Sequence, residues 1–344
     1  MAEFQNSFFQ EFRPLRYAMR VAVVGAGAIG GFLACKLFAA GHDVSVVARG
    51  ATLEAIRENG LKLYTGDDLL TARLRATSAP EELGTQDMVI FAVKAPALPL
   101  AVANAEALIG PQTCVIPALN GLPWWYFLKT AQALSGLRLE AVDPDGVIEK
   151  AIPVETVIGC VVFPSCTVLS PAVIKHMSGS RIVFGEPGGG YSERTETIAR
   201  IFCDAGFDAH AHENVREEIW LKLLGNACYN PVSLLVGATT DELIDDPFLH
   251  ALFINMMDEL LDLGRRLGLA PPIDPEQRIA ITRKLGKVKT SMLQDVEGNR
   301  PVEIQAILGA LVSVADRVGA PLPHTRTVYA LARRRAATLG LLPG

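Results

Sequence analysis

The chain has 344 residues, half of them hydrophobic and a fifth charged, with a formal net charge of −5. This length predicts two domains, and the composition predicts a globular protein with an ample core. The negative balance, with no basic block and no interleaving of aromatic and basic residues, argues against nucleic acid as a partner. No uninterrupted apolar run reaches the roughly 18 residues of a membrane span. Six cysteines (Cys35, Cys114, Cys160, Cys166, Cys203 and Cys228) form no CxxC pair, which predicts a reduced, cytoplasmic compartment.

Residues 1–18 mix Phe4, Phe8, Phe9 and Phe12 with Gln5, Asn6, Glu11, Arg13 and Arg16, so they lack the continuous apolar segment of a signal peptide. Met19 directly precedes the first strand. The extension reads as sequence upstream of the native start or as an arm that docks its phenylalanines, and the first is the expectation.

Arg20–Val24 is a β-rich run, followed by Gly25-Ala26-Gly27-Ala28-Ile29-Gly30-Gly31, a helical pattern from Phe32 to Ala40, a helix-ending Gly41 and a second strand over His42–Ala48. Strand, GxGxxG, helix and strand within about 30 residues is the dinucleotide-binding context. Gly25 allows the tight turn, Gly27 lets the backbone approach a pyrophosphate, and Gly30 lets the helix pack on the strand. The helix N-terminus offers free N–H groups to phosphates. At the end of the second strand, where an acidic residue would hold the ribose hydroxyls of NAD, stands Arg49. A guanidinium there suits a 2′-phosphate, so NADPH (NADP+) is the expected cofactor.

The strands Asp87–Val93 and Cys114–Leu119 end at Lys94 and at Asn120-Gly121. Ligands of an open α/β sheet sit beyond the carboxyl ends of its strands, which makes Lys94 and Asn120 candidates to touch cofactor or substrate. Asn120-Gly121 is equally a plain turn dipeptide. Residues 122–150 form a long connection with an aromatic cluster, Trp124-Trp125-Tyr126-Phe127. Strands are then predicted over Thr156–Leu169, Ala172–Met177 and Arg181–Phe184, a helix over Ser192–Ala205 and a strand over Phe207–Ala211. The domain boundary falls near residue 212. His210 and His212 read as a surface pair, since no supporting ligand cluster makes a metal site.

From Glu213 the pattern is helical: 214–230, Asp246–Leu267, Pro275–Gln294 and Pro301–Val318. Lys222, Asn226 and Asn230 share one face of the first of these helices at i, i+4 and i+8, interrupting an apolar stripe and ending at Pro231. Unpaired burial of such groups costs a few kcal/mol each, so a polar ligand or a mutual network must satisfy them. Glu303 lies on the apolar stripe of the last helix and needs a partner, with Lys222 one candidate.

The set Gly25-x-Gly27-x-x-Gly30, Arg49, Lys94, Asn120-Gly121, Lys222-x-x-x-Asn226-x-x-x-Asn230-Pro231, Ser291-Met292-Leu293-Gln294-Asp295 and Gly298-x-Arg300-Pro301-x-Glu303-Ile304 resembles the ketopantoate reductases, over about residues 19 to 335. The resemblance implies an α/β fold with an N-terminal Rossmann dinucleotide-binding domain over 19–212. An all-α C-terminal domain over 213–344 follows. It implies NADPH-dependent reduction of ketopantoate to pantoate on the route to pantothenate and coenzyme A. Carried over by position, Lys222 is the catalytic lysine and Glu303 the carboxylate that holds the substrate hydroxyl. Asn120, Asn226, Asn230 and Ser291 bind substrate. Gly25, Ala26, Gly27, Ala28, Ile29, Gly30, Arg49, Lys94, Asn120 and Glu303 meet the cofactor.

Three positions depart from the family pattern: Val288 and His324, where asparagine is common, and Leu308 within Glu303-Ile304-Gln305-Ala306-Ile307-Leu308-Gly309. The pocket can therefore belong to a paralogue for another 2-oxo acid. An opine-dehydrogenase-like enzyme would favour a histidine base, and none flanks Lys222 or Glu303. A nucleotide-sensing protein would not need Lys222 and Glu303 together. An exposed apolar helical surface would support a homodimer, and the oligomeric state stays open.

Overall fold

A computed structural model describes residues 18–131 and 133–342. Phe4, Phe8, Phe9 and Phe12 of the extension lie outside the described residues.

The α/β part runs β1 (Arg20–Val24), α1 (Ala28–Ala39), β2 (Asp43–Val47), α2 (Gly50–Asn59), β3 (Leu61–Thr65), β4 (Asp68–Ala72) and β5 (Arg75–Thr77). It continues through β6 (Met88–Phe91), α3 (Leu98–Asn104), β7 (Cys114–Pro117), α4 (Val147–Ala151), β8 (Gly159–Val162), β9 (Ser165–Ser170) and β10 (Val173–Ser178). It closes with β11 (Arg181–Gly185), α5 (Glu193–Asp204) and β12 (Asp208–Ala211). Five strands pair in parallel in the order β5-β2-β1-β6-β7. Such a sheet is covered on both faces, which is why β1 and β6 read as continuous apolar runs rather than alternating ones. All four residues of β6 are fully buried. Strand order reverses between β1 and β6, and the crevice beyond their carboxyl ends is where ligands of such sheets bind.

Beyond β7 a single bridge, Val115 to Val157, leads to the second sheet, β8-β11-β12. A third sheet, β4-β3-β10-β9, covers the outer side of α1. That packing explains the second glycine of Gly30-Gly31: a Cβ at Gly31 would lie 2.1 Å from Ile174 Cδ1. Phe32 of α1 stacks on His176 of β10 at 4.7 Å.

After β12 the chain is helical: α6 (Val215–Val236), α7 (Thr240–Asp245), α8 (Pro247–Arg266), α9 (Pro275–Arg283), α10 (Ser291–Glu297), α11 (Ala310–Val318) and α12 (Pro323–Thr338). α6 and the aromatic cluster share one core. Trp124, Trp125, Tyr126 and Trp220 are each 1% exposed and pack together.

Several predicted elements need correction. The strand expected over 156–169 breaks at Phe163-Pro164 into β8 and β9, because proline has no N–H for a ladder. The helix expected to end at Pro231 continues to Val236 and is closed by Gly237 in the left-handed conformation. Burial of its surface outweighs the hydrogen bond that Pro231 removes. The helix expected over 275–294 is two helices, each with its own side-chain cap, from Asp274 and Thr290. The helix expected from Pro301 begins only at Ile304, and its first turn, Gln305–Gly309, is wound as a π-helix.

Candidate active site

The crevice end of β1 carries the glycine turn. Gly25 has φ +102, which only glycine adopts readily. A Cβ at Gly30 would sit 1.9 Å from Gly25 O, so α1 approaches the turn at a distance no side chain allows. A Cβ at Gly27 would meet nothing within 4 Å, so that face is open. Gly27 is the N-cap of α1 and offers no side-chain cap. The first-turn N–H groups of Ala28, Ile29 and Gly30 therefore have no partner inside the helix. Arg49 stands exposed as the N-cap residue of α2, and its guanidinium has no partner among the described residues. An open glycine face, a free helix N-terminus and an unpaired guanidinium one strand away fit a phosphorylated dinucleotide.

Lys94 and Asn120 end β6 and β7, and both meet the helical part. Lys94 Nζ pairs with Asp295 of α10 and lies 3.3 Å from Pro301 O. Asp295 also accepts from Arg300 Nε at 3.1 Å. Beside them, Glu303 is 8% exposed, and its Oε1 accepts from the Ala95 N–H at 3.0 Å. Its Oε2 accepts from Asn120 Nδ2 at 3.4 Å. The other end of the same amide, Asn120 Oδ1, accepts from Lys222 Nζ at 2.9 Å. Lys222, Asn120 and Glu303 thus form one hydrogen-bonded chain across the two halves of the molecule. Lys222 and Glu303 are joined through the amide, not directly.

The Asn120-Gly121 turn is set tightly against the π-helical segment. Leu122 N–H donates to Ala306 O at 3.1 Å, and a Cβ at Gly121 would be 2.3 Å from that oxygen. Gly121 has φ +84. The dipeptide is a turn, and the turn holds Asn120 between Lys222 and Glu303.

Lys222 projects from α6 and also donates to Val162 O at 2.5 Å, with Nζ 5.9 Å from the centre of the Phe163 ring. Burial lowers its pKa to about 8, against the opposing influence of Cys160 and Glu303. The Cys160 thiol beside it is pushed up to about 12 by its own burial. Asn226 is half-buried and Asn230 is 5% exposed, and neither amide has a hydrogen-bond partner among the described residues. Lys222 and Asn226 line one cleft with Asn120. Asn230 lies deeper along α6 and does not line it. Ser291 is exposed in the first turn of α10, outside this lining.

Sequence reasoning missed the Val162 carbonyl, the Ala95 N–H, Cys160, Phe163 and the wall formed by Trp125. Backbone groups leave no residue signature, although Trp125 belongs to a cluster that was visible without a role. The departing positions are also placed. His324 Nδ1 is 2.7 Å from Glu259 Oε1 at the start of α12, and Leu308 is fully buried. The half-buried Val288 receives Thr240 N–H on its carbonyl at 2.9 Å. His210 pairs with Asp208 at 2.6 Å, and His212 Nδ1 accepts from Asn214 N–H.

Comparison with known proteins agrees with this geometry. The model of the ketopantoate reductase PanE/ApbA family matches residues 21–189, and that of the ketopantoate reductase PanE/ApbA C terminal matches residues 214–336. A 2-dehydropantoate 2-reductase from Mesorhizobium japonicum is 44% identical over 94% of this chain and 99% of its own length. The crystal structure of 2-dehydropantoate 2-reductase from Methylococcus capsulatus superposes with a TM-score of 0.79 at 28% identity, covering 93% of this chain and 98% of that one. D-mandelate dehydrogenase, solved with NADH and anilino(oxo)acetate, shares the fold with a TM-score of 0.82 at 20% identity, covering 94% of this chain and 100% of that one. With both halves matched in order, and a relative at this identity spanning nearly the whole chain, the protein belongs to the ketopantoate reductase family.

Proposed function

We propose that this protein reduces 2-dehydropantoate (ketopantoate) to pantoate, the reaction for which the similar 2-dehydropantoate 2-reductases are named, and that it does so with NADPH. The reading rests above all on the Lys222–Asn120–Glu303 chain at the crevice. A bound nicotinamide cofactor would supply hydride to the ketone carbon. Gly25 to Gly30 and the α1 N-terminus would hold its pyrophosphate, and Arg49 its 2′-phosphate. That last contact is what favours NADPH over NADH. Lys94, paired with Asp295, and Asn120 border the remainder of that crevice.

Negative charge develops on the ketone oxygen as its carbon is reduced. The Lys222 ammonium stabilises that charge and then donates the proton. With a pKa of about 8, Lys222 stays mostly protonated at neutral pH yet gives up its proton more readily than an exposed lysine. Asn120 turns its carbonyl toward the lysine and its NH2 toward Glu303, which fixes the direction of the ammonium. Glu303 also accepts from a substrate hydroxyl. Asn226, which lines the cleft with Lys222, supplies a donor for the substrate carboxylate. Its unpaired amide supports this role, because polar groups in a closed site need partners, whereas Asn230 and Ser291 lie outside that lining and take no part in this reading.

The test is cofactor oxidation, followed by near-ultraviolet absorbance, with ketopantoate and either NADPH or NADH. Rapid turnover preferring NADPH is the expected result. NADPH binding without turnover of any 2-oxo acid would favour a nucleotide sensor instead.

A further inference from the structure

The segment that carries Glu303 into α11 is wound as a π-helix, and this winding is tied to its surroundings on two sides. Ala310 N–H bonds to Gln305 O, five residues back, in place of the Ala306 carbonyl four residues back that an α-helix would offer it. The freed Ala306 carbonyl accepts from Leu122 N–H at 3.1 Å instead. That bond fixes the Asn120-Gly121 turn, so the π winding supplies the acceptor on which the Lys222–Asn120–Glu303 chain is seated. Such π-turns are rare and are found most often at functional sites. On the other side, Tyr329 of α12 donates its hydroxyl to Gln305 Oε1 at 2.6 Å. The Gln305 side chain folds over Gly309, where a Cβ would lie 2.3 Å from Oε1 and 3.2 Å from the Tyr329 hydroxyl. α12 packs against both α6, which carries Lys222, and the π-helical segment. Neither Gln305 nor Tyr329 lines the cleft.

We propose that Gln305 and Tyr329 are positioning residues for the reduction: their hydrogen bond holds the π-turn, whose freed Ala306 carbonyl keeps Asn120 between Lys222 and Glu303. The inference rests on the reductase reading and adds two residues that act through Asn120 rather than on the reacting atoms. Each residue of an α-helix advances the chain by about 100°, so relaxing the π-turn to α winding would rotate Glu303 by about that angle relative to α11. It would also return Ala306 O to Ala310 N–H. Leu122 N–H would then lose its acceptor, and the amide that directs the Lys222 ammonium would lose its seat. Misplacement of that kind slows the chemical step. The nucleotide turn from Gly25 to Gly30 lies on other elements, so cofactor binding is spared.

The experiment combines amide hydrogen exchange with kinetics on Tyr329→Phe, Gln305→Leu and the double variant. Exchange at the Leu122 amide needs no turnover. It should quicken about fivefold or more in each variant, while the amides of β6 keep their wild-type protection. With ketopantoate and NADPH, kcat should fall about threefold to tenfold in each single variant, and the Kd for NADPH should change less than about twofold. The double variant should lose no more than the worse single one, because both substitutions remove the same bond. Gln305→Glu, which keeps an oxygen for the Tyr329 hydroxyl, should recover most of the kcat lost in Gln305→Leu. A merely structural role would quicken exchange in β6 along with Leu122 and leave kcat per folded molecule unchanged, and that result overturns the proposal. Unchanged exchange at Leu122, or additive losses in the double variant, overturns it too. A wild type that turns over no 2-oxo acid, with Leu122 exchange quickened in the variants, removes the reductase reading and leaves the hold of Gln305 and Tyr329 on the turn standing.

Discussion

Replacing Lys222 by alanine tests the centre of the mechanism. The side chain makes two hydrogen bonds, to Asn120 Oδ1 and Val162 O, and neither acceptor can substitute for it as a proton donor. Loss of a general acid lowers the rate by about 10² to 10⁴, and loss of an oxyanion donor lies in the same range, so kcat should fall roughly 10³-fold. The nucleotide turn is contributed by other elements, so the Kd for NADPH should change less than about threefold. The pH profile provides a second readout. The active form of Lys222 in reduction is the ammonium, and burial lowers its pKa to about 8. Wild-type kcat should therefore hold steady at neutral pH and fall as pH rises through about 8, while the residual activity of the variant should lack that limb. Steady-state kinetics across this interval and fluorescence titration with NADPH measure both effects. A variant that loses cofactor affinity as much as kcat would move Lys222 to a cofactor role. A wild-type profile flat to well above pH 8 would refute its place as the proton donor.

Arg49→Ala removes a charge-assisted contact worth about 1.5–3 kcal/mol, so the Kd for NADPH should rise roughly tenfold to a hundredfold with NADH little affected. Equal weakening of both in a binding titration would remove the 2′-phosphate assignment. Glu303→Gln leaves a carbonyl oxygen to accept from Ala95 N–H but removes the charge facing Asn120. Its kcat should fall about tenfold to a hundredfold with unchanged thermal stability, and a kcat near that of the wild type would contradict the role given to Glu303. Gly30→Ala places a methyl 1.9 Å from Gly25 O. Calorimetry should show a lower Tm, by a few degrees for about 1–3 kcal/mol, together with weakened NADPH binding. An unchanged Tm would show that α1 does not need that close approach.

The nucleotide half of the site was legible because its signals are local. Gly25, Gly27 and Gly30 sit in a fixed spacing between a strand and a helix, and Arg49 follows the next strand directly. The polar face of α6 was legible for the same reason, since i, i+4 and i+8 need only one helix. Contacts that depend on distant parts of the chain were not legible. Lys94 looked like a free cation at a strand end, but its partner Asp295 is about 200 residues away. The partnering of β3 with β10 joins segments more than 100 residues apart, and no local pattern announces it. Helix limits failed at Pro231 and Pro301 for opposite reasons. Tertiary burial carried α6 through one proline, whereas the backbone after the other is drawn out to let Glu303 reach Ala95 and Asn120.

The same residues show why this site stands out against its surroundings. Most of α6 is packed as a core helix, yet one stripe carries an ammonium and two amides, and Pro231 leaves the Ala227 carbonyl without its usual helical N–H donor. A lysine with its pKa lowered from 10.5 to about 8 destabilises the folded state by on the order of 3 kcal/mol where it is charged in both folded and unfolded states. The penalty is fully present below pH 8 and fades as pH rises toward the unfolded value. Leucine and alanine at these positions would pack without that penalty. A protein that keeps all three polar groups, and clamps the lysine to a carboxylate of the same helical half through Asn120 of the other half, gives up stability at the place where charge must be managed. The glycine at 121 belongs to the same argument. It lets the Asn120 turn approach the Ala306 carbonyl, so the amide that directs Lys222 is held by backbone rather than by a mobile side chain. Preorganisation of that kind is what a proton donor needs if the ammonium is to meet an oxygen whose charge exists only during the reaction.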